Sequence, residues 1–303
     1  MTSIIETTSL SKAFGKHVAL DSLSIAVEPG EVFGFLGPNG AGKTTTIRIL
    51  LGLLRPTAGG ALVFGLDAWR DSVAIHRRVG NLPGDFAFND SLTGSEIMRL
   101  FSRLREVDTT AAVARLAEQF HADLTRPLRE LSRGNRQKIG LIQALAHDPD
   151  LLILDEPTSG LDPLMQEEFL KTIEQLRERG KTVFVSSHNL TEIERSCDRV
   201  ALIRDGALIA LEHISDLRHR FVHDVRIEFA DAPLGEAFTK FPNTVLKRAQ
   251  GNVVELEVGA DDLDGVLRTA TQATIVDLSC GQPSLEQAFV RLYQSGSEGA
   301  GDQ

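Results

Sequence analysis

The apolar run Val32 to Leu36 ends in a glycine-rich turn, and Ile47, Leu50, Leu51 and Leu54 then recur at helical spacing. That pattern predicts a buried strand, a loop and a helix. A second apolar run, Leu151 to Leu154, closes on Asp155 and Glu156, with the turn formers Pro157 and Gly160 soon after. A strand apolar on both faces belongs in a parallel sheet, so its acidic pair emerges at the carboxyl edge, where open α/β folds bind ligands. Thr182 to Ser186 predicts another strand, and Val200 to Leu211 a hairpin, because Asp205-Gly206 is a strong turn between apolar runs. Residues 1 to about 84 and 151 to about 220 thus make one α/β core. Between them, roughly 85 to 150 reads mostly helical. Thr93-Gly94-Ser95-Glu96 has the capping-box pattern, and Ile97, Leu100, Phe101 and Leu104 follow on one face.

The pattern changes after Phe221. Val225, Ile227 and Phe229 alternate with Arg226 and Glu228 as a strand does, and Leu234, Phe238 and Phe241 follow at helical spacing. Strands over Thr244 to Ala249 and Asn252 to Val258, joined by Gln250-Gly251, precede a helix through Leu263, Val266, Leu267 and Ala270. A strand near Thr274 to Ser279 and a helix from Ser284, with Leu285, Phe289 and Leu292 inward, complete an order βαββαβ, the ferredoxin-like arrangement. The expected domains are therefore 1–220 and an α+β accessory module over 221–294, with a disordered tail over 295–303. No catalytic grouping appears in the second module, so a docking or regulatory role is expected of it.

Composition changes this picture only by exclusion. The chain has 303 residues and a formal net charge of −10, which argues against nucleic acid as a partner, since phosphate backbones are bound through an excess of Lys and Arg. No apolar stretch approaches the roughly 18 residues that a spanning helix needs, so any membrane path is expected on another polypeptide. Cys197 and Cys280 are the two cysteines, without a CxxC pair, as suits a reduced cytosolic thiol state. His213, His219 and His223 lack the neighbours expected of a metal site.

The chemistry lies in three motifs. Gly37-Pro38-Asn39-Gly40-Ala41-Gly42-Lys43-Thr44, with Thr45 next, fits GxxxxGK[ST]. Its glycines let backbone N–H groups turn inward as an anion nest at a helix N-terminus. Lys43 is expected to reach the β- and γ-phosphates of ATP, and the Thr44 hydroxyl to ligate Mg²⁺. Asp155 suits Mg²⁺ coordination, direct or through water, while Glu156 points elsewhere and suits polarising the attacking water. The third motif is Leu131-Ser132-Arg133-Gly134-Asn135-Arg136-Gln137, roughly twenty residues before the Asp-Glu pair.

Together these residues resemble the nucleotide-binding subunit of ABC transporters, over about Ile4 to Leu217. The resemblance implies a P-loop NTPase core with an inserted helical subdomain, and an ATPase completed by a second subunit, as a homodimer. In that dimer Ser132 and the N–H groups near Gly134 would bind the γ-phosphate held by the opposite subunit. It implies a D-loop at Ser159-Gly160-Leu161-Asp162, a switch histidine at His188, and Phe14 stacked on adenine. Most members have Gly where this chain has Arg133 and Gln where it has Asn135. The family's Q-loop glutamine falls at Gly84, whose lack of a side chain leaves Asp85 or nothing as its substitute. The segment from Asp85 to about Phe101, with Phe86 and Phe88, would receive a coupling helix of the membrane subunit. The C-terminal pattern, including Pro283 to Phe289, is similar to that of ABC-2-type exporters of drugs, antibiotics and lipids. The expected function is ATP-driven export through a separate transmembrane permease, with this chain peripheral on the cytoplasmic face of the membrane. A soluble ABC ATPase uncoupled from transport and a nucleotide-gated regulatory module remain alternatives.

Overall fold

The computed structural model describes residues 3–84, 87–219, 222–231 and 235–281, without the side chains of 218, 219, 222, 235 and 236. It divides into two compact units, Met1–Glu212 and His213–Gln303, whereas the sequence pattern changes visibly only near residue 220. The reason is local: Ile214 and Leu217 are buried and prolong the apolar rhythm past the boundary.

The first unit begins β1 (Ile5–Phe14), β2 (His17–Leu23), β3 (Ala26–Val27), β4 (Val32–Leu36), α1 (Lys43–Leu50), β5 (Ala58–Val63), β6 (Leu66–Asp67), α2 (Ser72–His76) and β7 (Val79–Leu82). Three helices follow: α3 (Gly94–Arg105), α4 (Thr110–Gln119) and α5 (Arg133–Leu145). The chain then returns to alternation through β8 (Leu151–Asp155), α6 (Pro163–Glu178), β9 (Thr182–Ser187), α7 (Leu190–Ser196), β10 (Arg199–Arg204) and β11 (Ala207–His213).

These strands form two sheets. β1, β2, β3, β5 and β6 make a five-stranded antiparallel sheet. The other has the order β11-β10-β4-β9-β8-β7, parallel from β10 to β7. Every residue of β4, β8 and β9 is buried, as the near-continuous apolar runs require of a sheet covered on both faces. Phe33 and Phe184 stack in its core, their ring centroids 5.7 Å apart. Because β9 lies between β4 and β8, the loops following these three strands meet at one edge. The hairpin turn forms where expected, with Asp205 and Gly206 both at positive φ, 50° and 82°, the signature of a type I′ turn.

In the second unit α8 (Ile214–His219) precedes β12 (Val222–Phe229), β13 (Thr244–Gln250), β14 (Val253–Gly259), α9 (Leu263–Ala270) and β15 (Ile275–Cys280). The strands form an antiparallel sheet of order β13-β14-β12-β15. Val225, Ile227 and Phe229 point into a core with Val254, Leu256, Val258 and Val266. The helix expected across Leu234 to Phe241 is instead a single 3-10 turn, Gly235–Phe238, Leu234 itself lying outside the described residues. Pro242 disfavours helical backbone at Phe241, and the Asn243 N–H is held by the Asp262 carboxylate at 2.7 Å, which draws the chain into β13. The expected helix from Ser284 and the tail from 295 also lie outside the described residues.

Candidate nucleotide site

The phosphate loop takes its shape from its glycines. Gly42 has φ 106°, and a Cβ on it would stand 2.7 Å from the Ala19 carbonyl oxygen, so both its backbone conformation and its packing require glycine. The loop delivers Lys43 and Thr44 at the start of α1, where unpaired backbone N–H groups favour an anion. Lys43 is buried; its ammonium donates to the Gly37 carbonyl at 2.6 Å and to the Pro38 carbonyl at 3.3 Å. The Gly37 N–H donates to the Ser187 carbonyl at 3.4 Å, tying the loop to the end of β9.

Asp155 ends β8 and is 2% exposed. Its Oδ2 accepts the Thr44 hydroxyl at 2.8 Å, and its Oδ1 the Ser186 hydroxyl. Glu156 follows at φ 50°, a left-handed turn that swings its carboxylate away from the strand direction. Its Oε1 lies 3.3 Å from Lys43 Nζ, close enough for an ion pair although Oε1 has no aligned hydrogen bond. Its Oε2 meets His188 Nδ1 at 2.6 Å. Carboxylate, lysine and histidine from three separate loops therefore converge.

Two adjoining cavities open over these groups. One of about 410 Å³ is lined by Asn39, Thr44, Asp155, Glu156 and His188, among others. The second, about 300 Å³, runs from Phe14 and His17 across Pro38, Gly40 and Gly42 to Lys43, Thr44 and Thr45. Phe14 is 50% exposed, with Lys12 Nζ 5.1 Å from its ring centroid, so one aromatic face is available for stacking. Ala41 is buried behind the loop. Ser132 caps α5, its hydroxyl accepting the Asn135 N–H at 3.2 Å, with Gly134 in the first turn. Asp162 caps α6 through the Met165 N–H at 3.0 Å. Neither Ser132 nor Asp162 lines these two cavities.

Some groups at the site escaped sequence reasoning. Arg133 lines the first cavity, and its guanidinium donates to the Ser159 hydroxyl at 2.9 Å. Gln137 donates to the Pro157 carbonyl at 3.0 Å, so α5 grips the turn after Glu156 from within. Asn81 lines the same cavity with its buried carbonyl oxygen unpaired. Gly84 lies against Asp155, where a Cβ would come within 3.2 Å of Oδ2. Asp85 and Phe86 are outside the described residues, while Phe88 packs on Phe101 with ring centroids 5.6 Å apart.

A family model described as ABC transporter matches residues 20–159. The bacitracin transport ATP-binding protein BcrA of Bacillus licheniformis is 33% identical over 317 residues, covering 99% of this chain and 100% of that protein. The linearmycin resistance ATP-binding protein LnrL of Bacillus subtilis is 31% identical, covering 95% and 98%. A solved ATP-binding subunit of an ABC transporter superimposes with a TM-score of 0.66 at 28% identity, over 71% of this chain and 92% of that one. Likeness along almost the whole chain, rather than in a phosphate loop alone, separates this protein from other nucleotide-binding families: it belongs to the ABC transporters, as one of their ATP-binding, ATP-hydrolysing subunits.

Proposed function

We propose that this chain powers export. Two copies sandwich two ATP molecules head to tail, and their closure drives a separate transmembrane permease between inward- and outward-facing states. The observation that carries the hydrolytic part is the convergence of Lys43 and His188 on Glu156, at 3.3 and 2.6 Å. The direction of transport is supported by the relatives, one named for bacitracin transport and one for linearmycin resistance. Among the described residues no helix is long and apolar enough to cross a membrane, which supports a permease on a separate chain. That permease holds this subunit at the cytoplasmic face, with the segment 85–101 as its docking groove.

Phe14 stacks on the adenine, and the loop Gly37 to Thr45 wraps the phosphates, with Lys43 against the β- and γ-oxygens. The Thr44 and Asp155 oxygens fit Mg²⁺: both are hard donors, and their 2.8 Å separation is close to the roughly 2.9 Å between neighbouring corners of an octahedron with 2.0–2.1 Å bonds. Bound there, Mg²⁺ would neutralise charge developing on the transferred phosphoryl group. Glu156 accepts a proton from, and orients, the attacking water; His188 holds that carboxylate and faces the γ-phosphate. Ser132, the N–H groups near Gly134, and Asp162 act on the nucleotide of the other copy. The segment 85–150 serves as the helical subdomain that carries this signature. The second unit is read as a ferredoxin-like accessory domain, a reading supported by its strand order and antiparallel pairing.

The test is Glu156→Gln, alone and with Ser132→Ala. Loss of a positioned general base lowers turnover by roughly 10²- to 10⁴-fold, while ATP still binds and the single variant accumulates as an ATP-bound dimer by light scattering. The double variant should stay monomeric. Equal dimerisation of both would remove the composite site, and normal turnover in Glu156→Gln would remove the assigned base.

A further inference from the structure

β7 turns its two faces to different neighbours. Gly80 lies against α5, where a Cβ would collide with the Ala144 carbonyl oxygen. Asn81, next along the strand, points the other way, and it lines the cavity of about 410 Å³ with Thr44, Asp155 and Glu156. β7 runs parallel to β8 with Asn81 beside Ile153. Asp155 comes two residues after Ile153, so Asn81 and Asp155 project from the same face of the sheet. A strand spacing of about 4.8 Å and a rise of about 3.3 Å per residue put their Cα atoms roughly 8 Å apart. That gap is too wide for two short side chains to meet, and narrow enough for a hydrated ion to bridge.

The Asn81 amide oxygen is buried and, among the described residues, has no hydrogen-bond partner. A buried acceptor left unpaired works against folding. Ile47 and Leu51 of α1 share the cavity but are apolar, and Pro83 and Gly84, which follow β7 along it, carry no polar side-chain atom. Arg48 lines the cavity too, yet its guanidinium does not bond this oxygen. What the oxygen requires is a donor, and that requirement sorts the species the cavity can hold. The oxygens of a triphosphate only accept, as do those of ionised Asp155 and Glu156. Water donates, and more strongly on Mg²⁺, which polarises it; Mg²⁺ also keeps several of its waters when a protein binds it. We propose that Asn81 is a positioning residue whose amide oxygen accepts a hydrogen bond from a water in the hydration shell of that ion, steadying the metal from the strand beside Asp155. The proposal rests on the reading of Thr44 and Asp155 as the Mg²⁺ ligands.

The experiment compares wild type with Asn81→Leu, Asn81→Asp and Thr44→Ala in the full chain, using Mn²⁺ as the probe, an oxygen-seeking stand-in for Mg²⁺. Mn²⁺ binding to the complex with a non-hydrolysable ATP analogue is followed by electron paramagnetic resonance, and nucleotide binding is measured separately in EDTA. Leucine keeps the volume of asparagine and cannot accept, so Asn81→Leu should raise the Mn²⁺ dissociation constant roughly three- to tenfold, the worth of one hydrogen bond. Its nucleotide affinity in EDTA should not change. Aspartate accepts at both oxygens, so Asn81→Asp should hold Mn²⁺ at least as tightly as wild type does. Thermal unfolding of the nucleotide-free chain adds a readout that a purely structural asparagine would move in the opposite direction. Removing an unpaired acceptor should raise the melting temperature of Asn81→Leu by roughly 2–4 °C, whereas an asparagine that serves the fold would lower it. Unchanged Mn²⁺ affinity in Asn81→Leu, a lowered melting temperature for it, or an Asn81→Asp as weak toward Mn²⁺ as Asn81→Leu would each overturn the proposal; the last two comparisons decide it even if Asn81→Leu folds poorly, since Asn81→Asp is then set against Asn81→Ala. Wild-type Mn²⁺ affinity in Thr44→Ala would instead overturn the reading on which it rests.

Discussion

Glu156 leaves β8 in a left-handed conformation that costs a non-glycine residue roughly 1–2 kcal/mol. The turn gives adjacent residues different work: Asp155 stays with Thr44 and Ser186, while Glu156 reaches Lys43 and His188. Lys43 thus has a carboxylate as its counter-charge, which the phosphates of ATP must replace. Lys43→Ala should weaken ATP binding by about 1.5–3 kcal/mol, the worth of a charged hydrogen bond. Glu156→Gln should bind ATP more tightly than wild type, as the competing charge is gone. Titration calorimetry on both variants checks this, and unchanged affinity in Glu156→Gln would mean that the ion pair does not compete. Lys43, Thr44, Asp155 and Glu156 were legible in the sequence because each sits at a set offset from an apolar strand and a glycine turn. The Arg133–Ser159 contact was not, because it joins residues far apart in sequence, and nothing in the local pattern of either partner signals the other.

Among the elements, α3 shows a local signal fully realised. Thr93 Oγ1 accepts the Glu96 N–H at 3.2 Å, and the Glu96 carboxylate accepts the Thr93 N–H at 2.8 Å. The Thr93 N–H first, and its hydroxyl next, hold the Glu96 carboxyl below its ordinary range, so this half of the cap weakens as pH falls through the carboxylate range. Thr93→Ala should cost about 1 kcal/mol of stability, measured by urea unfolding at pH 7. A loss below a few tenths would mean that α3 is held by packing alone, for instance by buried Ile97 and Met98. The segment from Leu234 to Phe241 shows the opposite. Apolar spacing there suggested a helix, but only a 3-10 turn forms, because Pro242 and the Asn243–Asp262 hydrogen bond take control of the backbone. Periodicity reports which side chains face a core; it does not report how long the backbone can stay helical before the next strand claims it.

In the whole molecule, each of the two units encloses a hydrophobic core of its own. The nucleotide cavities belong entirely to the first unit, and the motifs behind them were readable from sequence. The boundary between the units was less so, since the buried α8 residues carry no break in pattern. Both cysteines are free: Cys197 is buried, its thiol pushed up to about 12 by that burial, and Cys280 is exposed. The placement of Ser132 and Asp162 outside the cavities over their own Lys43 has a consequence in genetics. If each catalytic centre borrows those residues from a second copy, a defective allele harms the normal one. Cells making equal amounts of wild-type chains and Glu156→Gln/Ser132→Ala chains would assemble all-wild-type pairs in only about one quarter of cases under random pairing, and both composite sites of a mixed pair would lack one residue. ATP turnover should drop toward that quarter, making the double variant dominant, whereas a drop to one half would show that each copy works for itself.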